Sequence, residues 1–238
     1  QLAPLIVRTR GHRLEGMWHA GSPMGMILNS LKGMLVLTPR NMVQASGMYN
    51  TLMSCTDPAL IIEPLNAYRL KEKEPLNLGE FTVPLGKIEI INPGTDITVV
   101  SYGSTLKLVE KTIPELQRNN INIELIDIQS LIPFDLNKDI VESIKKTNKL
   151  LIVDEDYPGG ASSFILKVLI EDHNGFKYLD SKPITLTAKE HRTPYGSDGD
   201  YFSKPSIDDI FEACYRIMHE YNPKTVSYTH LTLPTIAG

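Results

Sequence analysis

His19 is the residue best suited to chemistry. It stands in Glu15-Gly-Met-Trp-His-Ala-Gly-Ser-Pro23, a stretch too rich in glycine for a regular element. An imidazole titrates near neutral pH and can take or give a proton there. Ser22 lies beside it, and a loop after a parallel strand is where α/β sheets hold ligands. A histidine that merely anchors a loop has the same pattern. Arg69 and Arg192, next to Tyr68 and His191, carry guanidinium groups that suit a carboxylate or phosphate. Exposed arginines in surface ion pairs are the commoner case. Gly159-Gly160 before a helix would suit a phosphate. No lysine follows closely, and Asp154, Glu155 and Asp156 precede it, so a turn or a close packing contact fits better. Ser197-Asp-Gly-Asp200 resembles the opening of a metal–diphosphate motif. That motif needs a following helix and a downstream asparagine. Only Asn222 lies downstream, and a capped helix starts at Ser206, so a solvated turn is expected. There is no P-loop, no Gly-x-Gly-x-x-Gly and no Gly-x-Ser-x-Gly. The six histidines have no ligand spacing, which argues against a zinc site.

Alternating strands and helices must position these residues. Residues 4–9 read as a buried strand and 34–37 as another. Thr38-Pro39 is a helix start, with Thr38 as cap. Met42, Val43, Ala45, Met48, Tyr49, Leu52 and Met53 form the apolar stripe behind it. Residues 59–62 complete a βαβ unit, which implies a parallel sheet. Residues 64–95 look like a connector, with a domain boundary near Pro93. The alternation then resumes. Strands are expected at 97–102, 121–126, 150–153 and 184–186. Helices are expected through Leu106 to Leu116, with Pro114 as an awkward kink, and through Ile140 to Ile144, capped by Asp135 or Asn137. Two more follow Gly160 and a Ser206/Asp209 capping box.

The chain has 238 residues, 42% apolar and 22% charged, with net charge −4. Those values exclude a disordered or collagen-like chain and a basic nucleic-acid scaffold. The apolar runs are too short for a membrane span. Cys55 and Cys214 are far apart, so unpaired thiols and a reducing, cytoplasmic setting are expected. The chain starts at Gln1 with a strand already under way. Residues 226–238 carry no Asp, Glu, Lys or Arg, and their Ser-Tyr-Thr-His-Leu-Thr-Leu-Pro-Thr run resembles translated adapter read-through. Truncation in front and a non-native or disordered tail over 223–238 are the expectations.

Several segments together resemble the β subunit of the thiamine-diphosphate-dependent 2-oxo-acid dehydrogenases, of pyruvate or branched-chain type. They are Leu5-Ile-Val-Arg, His19-Ala-Gly-Ser-Pro23, Leu35-Val-Leu-Thr-Pro39, Ile61-Ile-Glu-Pro64 with Tyr68-Arg69, and Phe81-Thr-Val-Pro-Leu-Gly86. Asp96-Ile-Thr-Val-Val-Ser-Tyr-Gly103, Ile126-Asp-Ile-Gln-Ser-Leu-Ile-Pro133 and Pro205-Ser-Ile-Asp-Asp-Ile210 continue the series. Their order, more than any single motif, carries the likeness over about residues 3–222.

The resemblance implies an α/β fold. A partial parallel-sheet pyrimidine-binding domain over 1–92 is followed by a transketolase C-terminal-type α/β domain over 93–222. It implies oxidative decarboxylation of a 2-oxo acid and acyl transfer to a lipoyl group. His19 matches the family's active-site histidine, and Ser22 its neighbouring serine. The residues that contact thiamine, including the activating glutamate, are expected upstream of Gln1. The Mg²⁺-diphosphate motif belongs to an α portion or subunit, fused or separate. A structural K⁺ site built largely from backbone carbonyls maps to Leu5, Ile6, Leu52, Cys55 and Asp57. Implied partners are the α portion in a dimer or α2β2-type assembly, a lipoyl acyltransferase core and the 2-oxo acid. Nucleic acid and membrane are not among them. The 238-residue piece alone is expected to be inactive. Two alternatives are an end piece of a transketolase or deoxyxylulose-phosphate synthase, and a non-catalytic partner-binding assembly module.

Overall fold

A computed structural model describes residues 3–12, 23–191, 194–195 and 199–221. Its valine- and isoleucine-rich runs form two sheets. The first holds β1 (Ile6–His12), β2 (Leu35–Leu37), β3 (Ala59–Pro64) and β7 (Ser130–Ile132), in the order β1-β3-β2-β7. Strands β1, β3 and β2 are parallel, and β7 runs antiparallel to β2. The second sheet holds β4 (Glu89–Asn92), β5 (Ile97–Ser101), β6 (Ile123–Asp127), β8 (Leu150–Val153) and β9 (Ile184–Leu186), in the order β4-β6-β5-β8-β9. Only β4 is antiparallel to its neighbour there.

Period-two alternation decides which core each strand serves. On β3, Ala59 and Ile61 face α2 (Met42–Met53) in one cluster with Leu37, Met48 and Leu52. Leu60 and Ile62 turn the other way. They join a core shared by both sheets, with Met24, Ile27 and Leu28 of α1 (Met24–Ser30) and with Val100, Ile126 and Ile152. Helices α4 (Asp139–Thr147) and α5 (Ala161–Lys167) complete that core through Ile140, Ile144 and Ile165. The far face of the second sheet, with Val99, Leu125 and Leu151, packs on α3 (Leu106–Arg118) and α7 (Ile207–Tyr221). Each fully buried Leu or Ile contributes about 1.5–3 kcal/mol by leaving water. No helix among the described residues is long and apolar enough to cross a membrane.

Several local expectations change. The strand over 4–9 is an edge strand rather than a buried one: Leu5 is 56% exposed and Val7 38%. The cap of α2 is Asn41, whose side chain accepts from Gln44 N at 2.8 Å; Thr38 lies too far upstream. Met42 and Met53 point outward, and the buried face of α2 is Gln44, Ala45, Gly47, Met48 and Leu52. Helix α1, β4 and β7 are additions, because each is short and none repeats a clear period. Helix α3 runs through Pro114: this proline and Glu110, whose carbonyl loses its intrahelical donor, both face solvent. Gly199 and Asp200 open a short helix, α6 (Gly199–Ser203), where a turn was expected.

The connector is tied down. Residues 81–83 cross α2 at Gly47, where a Cβ would come within 2.4 Å of the Phe81 ring. Thr51 Oγ1 donates to Val83 O at 2.7 Å, and Asn50 Nδ2 donates to Phe81 O at 2.8 Å. Other starts and stops follow the sequence. Asp135 accepts from Asp139 N and Ile140 N at 2.8 and 3.1 Å and so caps α4. Ser206 and Asp209 form a reciprocal capping box: Ser206 Oγ accepts from Asp209 N at 3.1 Å, and Asp209 Oδ2 from Ser206 N at 2.9 Å. Both cysteines are free, and burial pushes the Cys214 thiol up to about 12.

Candidate functional site

The C-terminal ends of β1, β2 and β3 make one rim of the first sheet. Strand β1 ends at His12 and leads into the His19 segment. His19 and Ser22 lie outside the described residues, as does Arg192. Their flanks are described. Strand β1 ends at His12 before this segment, and α1 starts at Met24 after it.

Asp156 fixes the start of α1. It follows β8 in the second sheet and is almost fully buried. Its Oδ2 accepts from Gly25 N at 2.8 Å and from Ala161 N at 3.2 Å, so one carboxylate serves the first turns of α1 and α5 together. The glycines let them meet. A Cβ on Gly25 would lie 3.0 Å from Gly160 Cα, and one on Gly160 would lie 2.2 Å from Asp156 Oδ2. Gly159-Gly160 is thus a packing contact around an internal carboxylate. Asp154, beside it, accepts from Tyr102 Oη at 2.6 Å and Ser162 N at 2.8 Å. Burial pushes its carboxyl up to about 6, against the pull of those donors.

Glu63, at the end of β3, is the hub of the first rim. It accepts from Arg8 Nη2 at 2.6 Å, Tyr49 Oη at 2.6 Å and Tyr68 Oη at 2.5 Å. Burial opposes its charge, but the bonds from Arg8 and the two tyrosines outweigh burial and hold the carboxyl below the usual range. Beside it, Arg10, Leu65, Asn66, Tyr68 and Arg69 line a cavity of about 500 Å³.

Arg40, just past β2, joins the two sheets. It donates to Asp127 Oδ2 at 2.6 Å and to Glu89 at 2.7 and 3.0 Å. Gln44 Nε2 donates to Asp127 Oδ2 and to Gln129 Oε1, both at 2.8 Å. Burial raises the Asp127 carboxyl, and Arg40 counters it. A second cavity, of about 400 Å³, opens beside Arg40, Gln44, Phe81 and Gln129.

Leu5, Ile6, Leu52, Cys55 and Asp57 gather at the opposite, N-terminal end of β1 and β3, where Ile6 pairs with Ala59. The Leu5 carbonyl already accepts from Ala59 N at 2.8 Å, and that of Leu52 from Cys55 N at 3.0 Å. Each carbonyl keeps one further lone pair for an ion. No group of three or more His, Cys, Asp or Glu among the described residues is placed to hold a metal. Sequence reasoning missed Glu63, Asp127 and Asp156 as hubs. The available signal was a single carboxylate closing an apolar strand, as in Ile61-Ile-Glu and Glu124-Leu-Ile-Asp.

Parallel strands, covering helices and two rims of this kind define a transketolase-like α/β protein. Residues 86–203 match the transketolase C-terminal domain family. The fold is shared with a split-gene transketolase solved as an inactive β4 tetramer: TM-score 0.70, 17% identity, covering 90% of this chain and 66% of that one. Within that class the chain is similar to β subunits of the 2-oxo-acid dehydrogenases. It is 28% identical over 211 residues to the pyruvate dehydrogenase E1 component subunit beta of Acholeplasma laidlawii, covering 87% of this chain and 62% of that one. Against the subunit of the same name from Chlorokybus atmophyticus it is 36% identical over 184 residues, covering 77% of this chain and 54% of that one. The chain thus spans less than two thirds of the length of these relatives.

Proposed function

We propose that this chain is part of the decarboxylating component of a thiamine-diphosphate-dependent 2-oxo-acid dehydrogenase. That component oxidatively decarboxylates a 2-oxo acid and passes the acyl group to a lipoyl group on a partner. The carrying observation is the likeness to a pyruvate dehydrogenase β subunit over 87% of the chain, across both sheets. Residues 1–92 serve as the pyrimidine-binding part and 93–222 as the C-terminal domain, in a cytoplasmic enzyme.

The described residues do not fit the cofactor by themselves. The carboxylate of Glu63 is taken by Arg8, Tyr49 and Tyr68, which leaves it unsuited to activating an aminopyrimidine. The described residues also lack an acidic cluster for a Mg²⁺-diphosphate. The groups that hold thiamine diphosphate are therefore assigned elsewhere, chiefly to an α portion joined to this one as a dimer or α2β2-type assembly. The chain's own contribution is placement. Strand β1 and the Asp156-anchored start of α1 flank, in the chain, the segment that contains His19 and Ser22, and His19 is assigned the role of proton carrier. The carbonyls of Leu5, Ile6, Leu52, Cys55 and Asp57 are proposed to hold a structural K⁺. The solvent-facing sides of the helices that cover both sheets are left for the α portion and for a lipoyl acyltransferase core.

The test of His19 uses the enzyme assembled with its α portion. His19→Ala should lower CO₂ release from the preferred 2-oxo acid by about a hundredfold or more, the usual yield of a positioned acid–base group. An unchanged rate would remove His19 from the mechanism. The chain alone should bind no thiamine diphosphate at micromolar concentration, and calorimetric binding there would contradict the assignment.

A further inference from the structure

The rim cavity beside Glu63 carries more positive charge than its own acid can use. Arg8 and Arg10 lie two apart on β1 and share one face. Register sets Arg10 opposite Glu63, yet it is Arg8 that donates to the Glu63 carboxylate, with Tyr49 and Tyr68 filling its other acceptor sites. Neither Arg10 nor Arg69 has an acidic partner among the described residues. Both side chains line the cavity of about 500 Å³, together with Leu65, Asn66 and Tyr68. That size suits a small metabolite. Asn66 adds a second signal: its Oδ1 is buried and accepts no hydrogen bond. A buried acceptor left unmade costs about 1–3 kcal/mol, which a ligand hydroxyl would recover. The cavity also sits where β1 and β3 end, the edge at which parallel α/β sheets bind ligands.

We propose that Arg10 and Arg69 form a binding site for a small oxyanion, a carboxylate or phosphate group, with Asn66 accepting from a hydroxyl of the same ligand. The two guanidinium groups supply charge-assisted donors from separate elements, β1 and the turn after β3. This site is for binding only and does not rest on the decarboxylase reading.

The experiment is calorimetric titration of the whole chain at fixed ionic strength, with inorganic phosphate and separately with pyruvate. Saturable binding is expected for at least one. A response to phosphate alone assigns a phosphoryl ligand, and a response to pyruvate assigns a carboxylate. Arg10→Gln and Arg69→Gln should each weaken binding about tenfold or more, the loss of a charge-assisted hydrogen bond. Asn66→Ala should weaken phosphate, which keeps an O–H, by a smaller factor. Arg118→Gln, in an exposed pair with Glu115 on α3, should change nothing. Chemical-shift mapping on the unmodified chain should place the response at residues 8–12 and 64–70. No saturable binding with either probe overturns the proposal. So does equal binding by the Arg10→Gln and Arg69→Gln variants, or a response spread over the surface.

Discussion

The two sheets end in two rims, and each rim gathers carboxylates where parallel strands stop. The rim after β1 and β3 stays open. Glu63 is satisfied by side chains, and a cavity of about 500 Å³ remains beside it. The rim after β8 is closed. Asp154 and Asp156 are satisfied largely by backbone N–H groups of α5 and α1, and the space near Glu155 and Tyr157 is about 10 Å³, at most one water. A carboxylate of the chain itself occupies the position that a bound anion would take at the helix starts. The glycine pair after β8 thus gives a structural seal, and ligand chemistry is left to the first rim. Asp156 also links the rims, because the helix start it holds follows the His19 segment.

This contrast can be broken at several points. Ile152, fully buried under the closed rim, should cost about 2–5 kcal/mol as Ile152→Ala, whereas Val7→Ala on the open edge strand should cost less than about 1 kcal/mol. Urea unfolding measures both, and equal losses would mean that β1 is covered in solution. Gly160→Ala forces a methyl into the Asp156 carboxylate and should destabilise by about 1–3 kcal/mol. A neutral result would show that the seal can open. Asp156→Asn keeps the shape and removes the charge. It should cost about 1 kcal/mol and speed hydrogen exchange at Gly25 and Ala161 together. Faster exchange at Ala161 alone would cut the link between the rims.

The smallest effect is on pH dependence. The ordinary Asp154 carboxyl titrates near 3.8 and the folded one near 6, so the folded chain holds a proton that the unfolded chain has lost between those values. This contribution favours folding fully below about pH 4 and fades as pH rises through about 6. Asp154→Asn should remove that slope from the stability profile. Identical profiles would show that the Tyr102 and Ser162 bonds keep Asp154 ionised throughout.

Much of the fold was legible because long apolar segments announce their period. Strands β2, β3, β5, β6, β8 and β9 and helices α2, α3, α4 and α7 fall close to where alternation and capping residues put them. Helix α1 and strands β4 and β7 were not legible. They span 7, 4 and 3 residues, too short for a period to show, and tertiary contacts fix them. Strand β7 is the clearest case: it follows β6 of the second sheet but pairs with β2 of the first. At the site, local spacing singled out Arg69 and the glycine pair. It could not reveal that Glu63 meets Arg8 across 55 positions or that Asp156 meets Gly25 across 131.

The central claim is that the chain serves a 2-oxo-acid decarboxylase, and product formation tests it most directly. Label the carboxyl carbon of pyruvate and of branched-chain 2-oxo acids, and supply thiamine diphosphate to the enzyme that contains this chain and its α portion. The account predicts labelled CO₂ from at least one acid, coupled to acylation of a lipoyl acceptor. Two-carbon transfer between sugar phosphates, condensation of pyruvate with a triose phosphate, or no labelled CO₂ from any of the acids would contradict it.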